Sequence, residues 1–411
     1  MKYSLGALLG LLGLAACNSQ SASTPSGSAP QVAALVSSPG TFYGVYRTLL
    51  PGQADSSTLH LVSAPRSFDG ATGHFGSYYG SDGQPYTLQG QPSAVPDSVV
   101  LFDTSLEKAG HFEKSTSYWR LRRQPGRGDL VGTVAGQPVR LRLVPPAGGA
   151  LRFVVRYFAD SAAAFPKEGK SPKGRISLQA LVPVGKPAAV GDTLTMSMLR
   201  DLRGDTIAGL PPLPLADFYE QQRQQFFKDY REDAVGSRPA PADTAGIGAY
   251  GIGMNYEDQT ATYVLYQQGN LLSLGYFHYN FSGGAHGNYG TTGASYDLRT
   301  GRRLRYNDIF QPTAKAQLPA LLGQAVRPLL GLAPGEPLDK QLFVKQMPVT
   351  TNVFLTAGGA VFSYQPYEIA AYAQGEVRVF VPMAKLRPLL REGLPLPVAG
   401  DLANQSGQAG R

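Results

Sequence analysis

The sequence predicts an α+β fold: a β-rich N-terminal half, an antiparallel β-barrel or sandwich, followed by a half that mixes strands and helices. Between residues 40 and 150, short segments such as Val139–Leu143 alternate apolar with polar residues and are separated by Gly-containing turns. A single long run, Asp217–Asp233, instead carries its aromatics at helical spacing: Phe218, Tyr219, Phe226, Phe227 and Tyr230. The chain has 411 residues, of which 43% are hydrophobic, enough for more than one buried core.

Residues 1–17 begin with a charge at Lys2, continue apolar from Leu5 to Leu14 and end in small residues before Cys17. This is the pattern of a secretory signal, and its apolar run is too short to span a bilayer. The ending Leu14–Cys17 resembles the lipobox of bacterial lipoproteins, in which the cysteine is acylated and becomes the mature N-terminus. Cys17 is the only cysteine, so no disulfide staples the fold. The plainer alternative is an ordinary signal peptide beside an idle cysteine. Residues 18–39 are Ser, Ala, Pro and Gly-rich without charge and read as a flexible tether.

Eight strands are expected in residues 40–150, within Thr41–Leu50, Thr58–Ser63, Gly73–Tyr79, Pro85–Gly90, Ser98–Asp103, Tyr118–Arg123, Leu130–Val134 and Val139–Val144. Tyr78 and Tyr79 are consecutive, so one faces each side of its strand. The Pro/Gly/Lys stretch Phe165–Gly174 suggests a domain boundary within 151–174, and a strand follows at Arg175–Val182. For the helix at Asp217–Asp233, Asp217 is read as the N-cap with Glu220 three residues on. Strands are expected again at Tyr250–Tyr256, Thr260–Gln267, Leu271–Asn280, Gly293–Leu298 and Arg302–Tyr306, with a hairpin turn at Arg299–Gly301. Helices follow at Lys315–Leu332, broken or kinked by Pro319 and Pro328, and at Leu338–Lys345. Strands Val353–Leu355, Ala360–Tyr364 and Glu376–Val381 and a closing helix Met383–Leu390 precede a loose tail, 393–411.

The net charge of +8 is spread as mixed signs along the chain, without a basic block, so nucleic acid is not an expected partner. Gly246, Gly248 and Gly251 spell a dinucleotide-binding pattern. No strand precedes it, no helix follows and no acid lies at the required distance, so a Gly-rich turn is the reading and no cofactor is expected. His278 and His286 would need a third metal ligand, from Asp297, Asp308 or Glu368, only if folding brings them together, and no metal is expected. The arginines around the 299–305 hairpin read as a solvated face or an anion contact.

Gly283, Gly284, Ala285 and His286, then Asp297 and Gly301, then Tyr306 and Asp308, and later Pro366, Tyr367, Glu368 and Ile369 form a pattern over residues 175–392. It resembles the extracellular domain of RsiV-type anti-sigma factors and the related domain of PdaC-type peptidoglycan deacetylases. The resemblance implies an α/β module with a twisted sheet and packed helices, a cell-envelope setting and a binding role. The expected absence of a transmembrane helix and of a deacetylase domain separates this chain from both. The candidate binding residues are His286, Tyr367 and Glu368, supported by Asp297 and Asp308. The leading expectation is a non-enzymatic, lipid-anchored envelope protein, held to the membrane by its acyl chains, that recognises an envelope protein or peptidoglycan. The alternative is a glycan hydrolase using Glu368 and His286. A Cys17→Ala variant should leave the membrane fraction; retention after a carbonate wash would contradict the anchor.

Overall fold

The computed structural model describes residues 37–65, 72–91, 95, 97–105, 118–144, 151–185, 188–204, 213–238 and 252–396. Cys17, the Gly246–Gly251 pattern and nearly all of the tether and tail therefore lie outside the described residues.

Eight strands follow one another: β1 (Phe42–Leu49), β2 (Ser56–Pro65), β3 (Thr72–Tyr79), β4 (Pro85–Gln91), β5 (Ser98–Asp103), β6 (Tyr118–Arg123), β7 (Leu130–Val134) and β8 (Gln137–Leu143). Each pairs antiparallel with the next, and β1 pairs with β8 to close a barrel. Closure leaves no free edge. The alternation read from the sequence fills the interior with Tyr46, Leu59, Leu61, Tyr78, Leu88, Leu101, Trp119 and Leu141, all nearly inaccessible. Tyr78 points into this core against Trp119, while its neighbour Tyr79 points outward and packs on Tyr266 of the second half.

The second half is built on a six-stranded sheet of β9 (Arg152–Ala163), β10 (Lys173–Val184), β11 (Glu257–Gln268), β12 (Leu271–Phe281), β13 (Asn288–Asp297) and β14 (Arg302–Leu304). Its order is β14-β13-β12-β11-β10-β9, and only β10 and β11 run parallel. The crossover between them holds helices α1 (Ala188–Arg203) and α2 (Leu215–Gly236). Beyond β14 come α3 (Tyr306–Ile309), α4 (Ala314–Leu329), β15 (Val353–Leu355), β16 (Gly359–Tyr364), β17 (Val377–Pro382) and α5 (Met383–Leu386). The last three strands form a separate antiparallel sheet. No helix among the described residues is long and apolar enough to cross a membrane.

Several elements differ from expectation. Phe165–Gly174 is not an interdomain stretch but the turn of the β9–β10 hairpin, whose first strand lies within 151–174. Helix α1 was not visible in the sequence because Gly191, Thr193 and Thr195 are weak helix formers. The two threonine hydroxyls donate back to the carbonyls of Ala189 and Gly191, and burial of Leu194 and Met198 holds the helix down. Asp217 is not the cap of α2: Pro214 occupies that position and Glu220 instead bonds Arg223. Helix α4 runs through both Pro319 and Pro328. The 250–256 strand is replaced in part by a 3₁₀ turn at Ile252–Met254, and the 338–345 helix by a 3₁₀ turn at Leu338–Lys340.

The barrel wall β2–β4 lies against β11. The β11 ladder is interrupted by a bulge between Val264 and Tyr266. Ser77 Oγ of β3 sits 2.7 Å from the Val264 carbonyl and 2.9 Å from that of Leu265. Beside it, Tyr79 donates to the Gln267 carbonyl at 2.9 Å and lies 3.1 Å from His60 Nε2. Because the Tyr79 proton is committed to the carbonyl, His60 donates from Nε2 and accepts at Nδ1 from the Tyr43 hydroxyl, 2.9 Å away. A third contact joins the backbones: a side chain at Gly358 would place its Cβ 1.7 Å from the Asp82 carbonyl oxygen, so the two turns cross only because Gly358 has none.

Burial holds the His60 imidazole down at about 3 and, with Arg123 nearby, that of His74 at about 4, against an ordinary value of 6.5. The unfolded chain therefore binds these protons at a pH where the folded chain does not. Stability falls as pH drops below 6.5, by about 1.4 kcal/mol per pH unit for each histidine. His60→Gln should remove one such contribution from the slope of unfolding free energy between pH 6.5 and 5, measured by urea denaturation; an unchanged slope would contradict this origin.

Candidate functional site

His286 and Tyr367 meet. The loop carrying His286 turns at Gly283 and Gly284, both at φ +91°, a conformation open to glycine. His286 stacks on Tyr372 with ring centroids 3.8 Å apart. Its Nδ1 lies 3.0 Å from the Gly287 carbonyl, which can only accept, so Nε2 is the acceptor for the Tyr367 hydroxyl 3.3 Å away. Tyr367 is 55% exposed and adopts φ +69°, a strained backbone for a residue with a Cβ. Tyr372 donates to the same Gly287 carbonyl at 2.5 Å, which ties the histidine loop to the turn at residues 372–374.

Glu368 is exposed beside Tyr367, and its carboxylate accepts from the Gln365 N–H at 2.9 Å, which fixes the turn. Asp297 ends β13, at the opposite end of that strand from the His286 loop, about 30 Å away at 3.3 Å per residue. Its carboxylate holds the Arg299 backbone N–H and guanidinium at 2.7–3.1 Å. Asp308 accepts from the Arg305 N–H at 2.9 Å in a capping box for α3. His278 pairs with Asp258 at 3.2 Å, a bond that raises the imidazole above its usual value. The arginines of the 299–305 hairpin include two with carboxylate partners, Arg299 on Asp297 and Arg303 on Asp201. Among the described residues no group of three or more His, Cys, Asp or Glu side chains is placed to hold a metal ion.

Tyr372 also lines a cleft of about 520 Å³ between the barrel and the second half. The barrel contributes Thr87, Gln89, Phe102 and Ser105. The opposite wall contributes Tyr289, Tyr372, Gln374, Glu376 and Arg378. Tyr289 meets Tyr372 edge to face at 5.7 Å, and burial followed by the Glu376 charge raises its hydroxyl to about 12. Arg378 donates to Glu376 at 2.6 Å, to the Tyr263 hydroxyl at 3.1 Å and across the cleft to the Thr87 hydroxyl. Glu376 in turn accepts from the N–H and hydroxyl of Thr291. Two buried polar atoms of lining residues, Gln374 Oε1 and Ser105 Oγ, have no hydrogen-bond partner among the described residues. Each such atom costs about 1–3 kcal/mol unless water or a ligand satisfies it.

Tyr289, Tyr372, Glu376 and Arg378 were not singled out from the sequence. Tyr372 sits five residues after Tyr367 and Tyr289 three after His286, so aromatics clustered about the predicted pair were the available signal. The barrel residues gave none, because only the tertiary fold brings them there.

The fold and site define an α+β protein with a closed eight-stranded barrel and a cleft of aromatic and hydrogen-bonding groups. Residues 307–384, which include β15 to β17 and the Tyr372–Arg378 wall of the cleft, form a domain that matches the family described as "Protein of unknown function (DUF3298)". A solved structure of a DUF3298 family member from Bacteroides fragilis is 24% identical, with a TM-score of 0.52, over 62% of this chain and 99% of that one. Another, from Pseudomonas aeruginosa, is 19% identical with a TM-score of 0.40, over 60% of this chain and 98% of that one. No curated protein matches the chain.

The Glu376–Arg378 pair is mostly shielded from water, with side-chain exposures of 12% and 19%. Removing one partner leaves the other charge buried, at a cost of about 3–5 kcal/mol. Glu376→Ala should lose stability on that scale in urea denaturation, and adding Arg378→Met should recover most of it. A loss below about 0.5 kcal/mol in the single variant, the size of an ordinary surface change, would contradict the pairing.

Proposed function

We propose that this chain is a non-enzymatic, lipid-anchored protein of the bacterial cell envelope whose cleft binds a glycan chain. The observation that carries the reading is the cleft lining, which sets the polar side chains of Gln89, Gln374 and Ser105 beside the aromatic rings of Phe102, Tyr289 and Tyr372. Sugars present hydroxyl groups at ring edges and C–H groups on ring faces. Such a ligand supplies hydrogen-bond donors to the first set and apolar contact to the second. The exposed His286–Tyr367 pair extends the same aromatic surface beyond Tyr372.

The signal pattern ending at Cys17 supports the anchor, and the uncharged stretch after it supports a tether. The Gly283–His286 and Pro366–Ile369 segments support an RsiV-type kinship for the module that holds the DUF3298 domain. Binding is favoured over hydrolysis because Glu376 is spent on Arg378 and Thr291, and Glu368 on a turn N–H. A free acid–base pair is what glycosidases use.

Soluble peptidoglycan fragments titrated into the protein should bind with heat release by calorimetry. Tyr372→Ala should weaken them about five- to ten-fold, the value of one aromatic contact. Absence of binding to the parent protein, or equal binding by the variant, would contradict the site.

A further inference from the structure

The barrel has a second, outward-facing wall. Strands β2, β3 and β4 lie on β11, so β7, four strands from β3 around the closed ring of eight, is on the far side from the second half. The outward positions of β6 and β8, which flank it, carry Arg120, Arg122, Arg140 and Arg142, and Arg47 and Leu49 continue the face at the end of β1, whose start at Tyr43 instead packs on Phe153 of the second half. These four strands contain no Asp or Glu. Asp129, the residue before β7, is buried and bound to Arg140 at 2.8 Å. Among the described residues no carboxylate pairs with the exposed Arg120, Arg122 or Arg142.

The register concentrates these charges. Arg122 faces Val131, Val131 faces Arg140, and Arg142 faces Arg47 across the closing pair. Placing cations opposite one another in a sheet is unfavourable on its own. Leu49 stands at the β1 end of the Arg122–Val131–Arg140 row and is 59% exposed. Cations interleaved with an exposed leucine suit a surface that is anionic outside and apolar beneath. A soluble polyanion would make no use of the leucine.

We propose that this wall docks on a membrane surface rich in anionic phospholipid headgroups. Guanidinium groups match phosphate oxygens in pairs, and Leu49 enters the boundary below them. The contact is independent of the anchor at Cys17. Where an acyl group is present, the wall supplies a second membrane contact of the polybasic kind.

The test uses the full chain carrying Cys17→Ala, so that no acyl group can form, in co-sedimentation with vesicles. The leader carries Lys2 and so adds its own attraction to anionic vesicles, so the readout is the part of the preference for vesicles one-third phosphatidylglycerol over phosphatidylcholine alone that is lost when the wall is changed. The parent should prefer the anionic vesicles, and high salt should abolish the preference. Replacing Arg120, Arg122 and Arg142 by Gln should weaken the anionic binding about five-fold per residue, about 100-fold together. Leu49→Asp, a single exposed change, should weaken it at least about five-fold by the same scale, with the melting temperature checked for all variants. Equal binding to both vesicle types, or undiminished binding by the folded variants, would overturn the proposal. So would arginine-dependent retention on heparin without any vesicle preference, which would assign the wall to a soluble polyanion.

Discussion

Ser77 and Tyr79, adjacent outward positions two apart on β3, bond the barrel to the backbone carbonyl groups of Val264, Leu265 and Gln267 around the bulge of β11. The rest of the structure depends on this seam. A ladder strand normally spends its carbonyls within its own sheet, and the β11 bulge releases some of them to face the barrel. Behind the polar contacts, Val62 and Phe75 of the barrel pack with Tyr263, Phe277 and Val361 of the second half. The described residues of the barrel and the second half thereby form one compact unit. The cleft exists because this seam stops short of the β4–β5 edge, where Thr87 is bridged by Arg378 and the walls part around Phe102 and Tyr372.

The barrel was legible in the sequence because a half-buried antiparallel strand writes its environment as alternation, and all eight strands fall where the alternation and glycines put them. The second half was less so. Strand β9 was hidden by reading the Pro/Gly/Lys turn after it as a boundary, and α1 by β-branched residues whose helix forms through tertiary burial. The prolines of α4 mislead for the same reason: Leu318, Leu322 and Val326 are fully buried, and that packing outweighs two missing N–H donors.

Part of the site was legible too. The glycine pair preceding His286 and the turn holding Tyr367 point to loops that meet, and they meet. Asp297 and Asp308 are common turn and capping residues, and in the fold they hold backbone N–H groups at the far end of β13 and the start of α3. The cleft was invisible because one wall of its lining comes from a barrel more than 150 residues away in the chain. The arginine wall was invisible for a related reason. Its charges sit at alternate positions of strands that also bear buried leucines, so a running charge count sees a mixed segment while the register sees a stripe.

The two faces of the barrel thus differ: one wall builds a cleft with the second half, and the opposite wall faces outward with its arginines. The central claim is that ligand binds where both halves contribute. Hydrogen–deuterium exchange with and without soluble peptidoglycan fragments tests it most directly. The account predicts that ligand slows exchange on both sides at once, in β4 and β5 of the barrel and in residues 372–378. Protection confined to one side, or to surfaces away from the cleft, would contradict it.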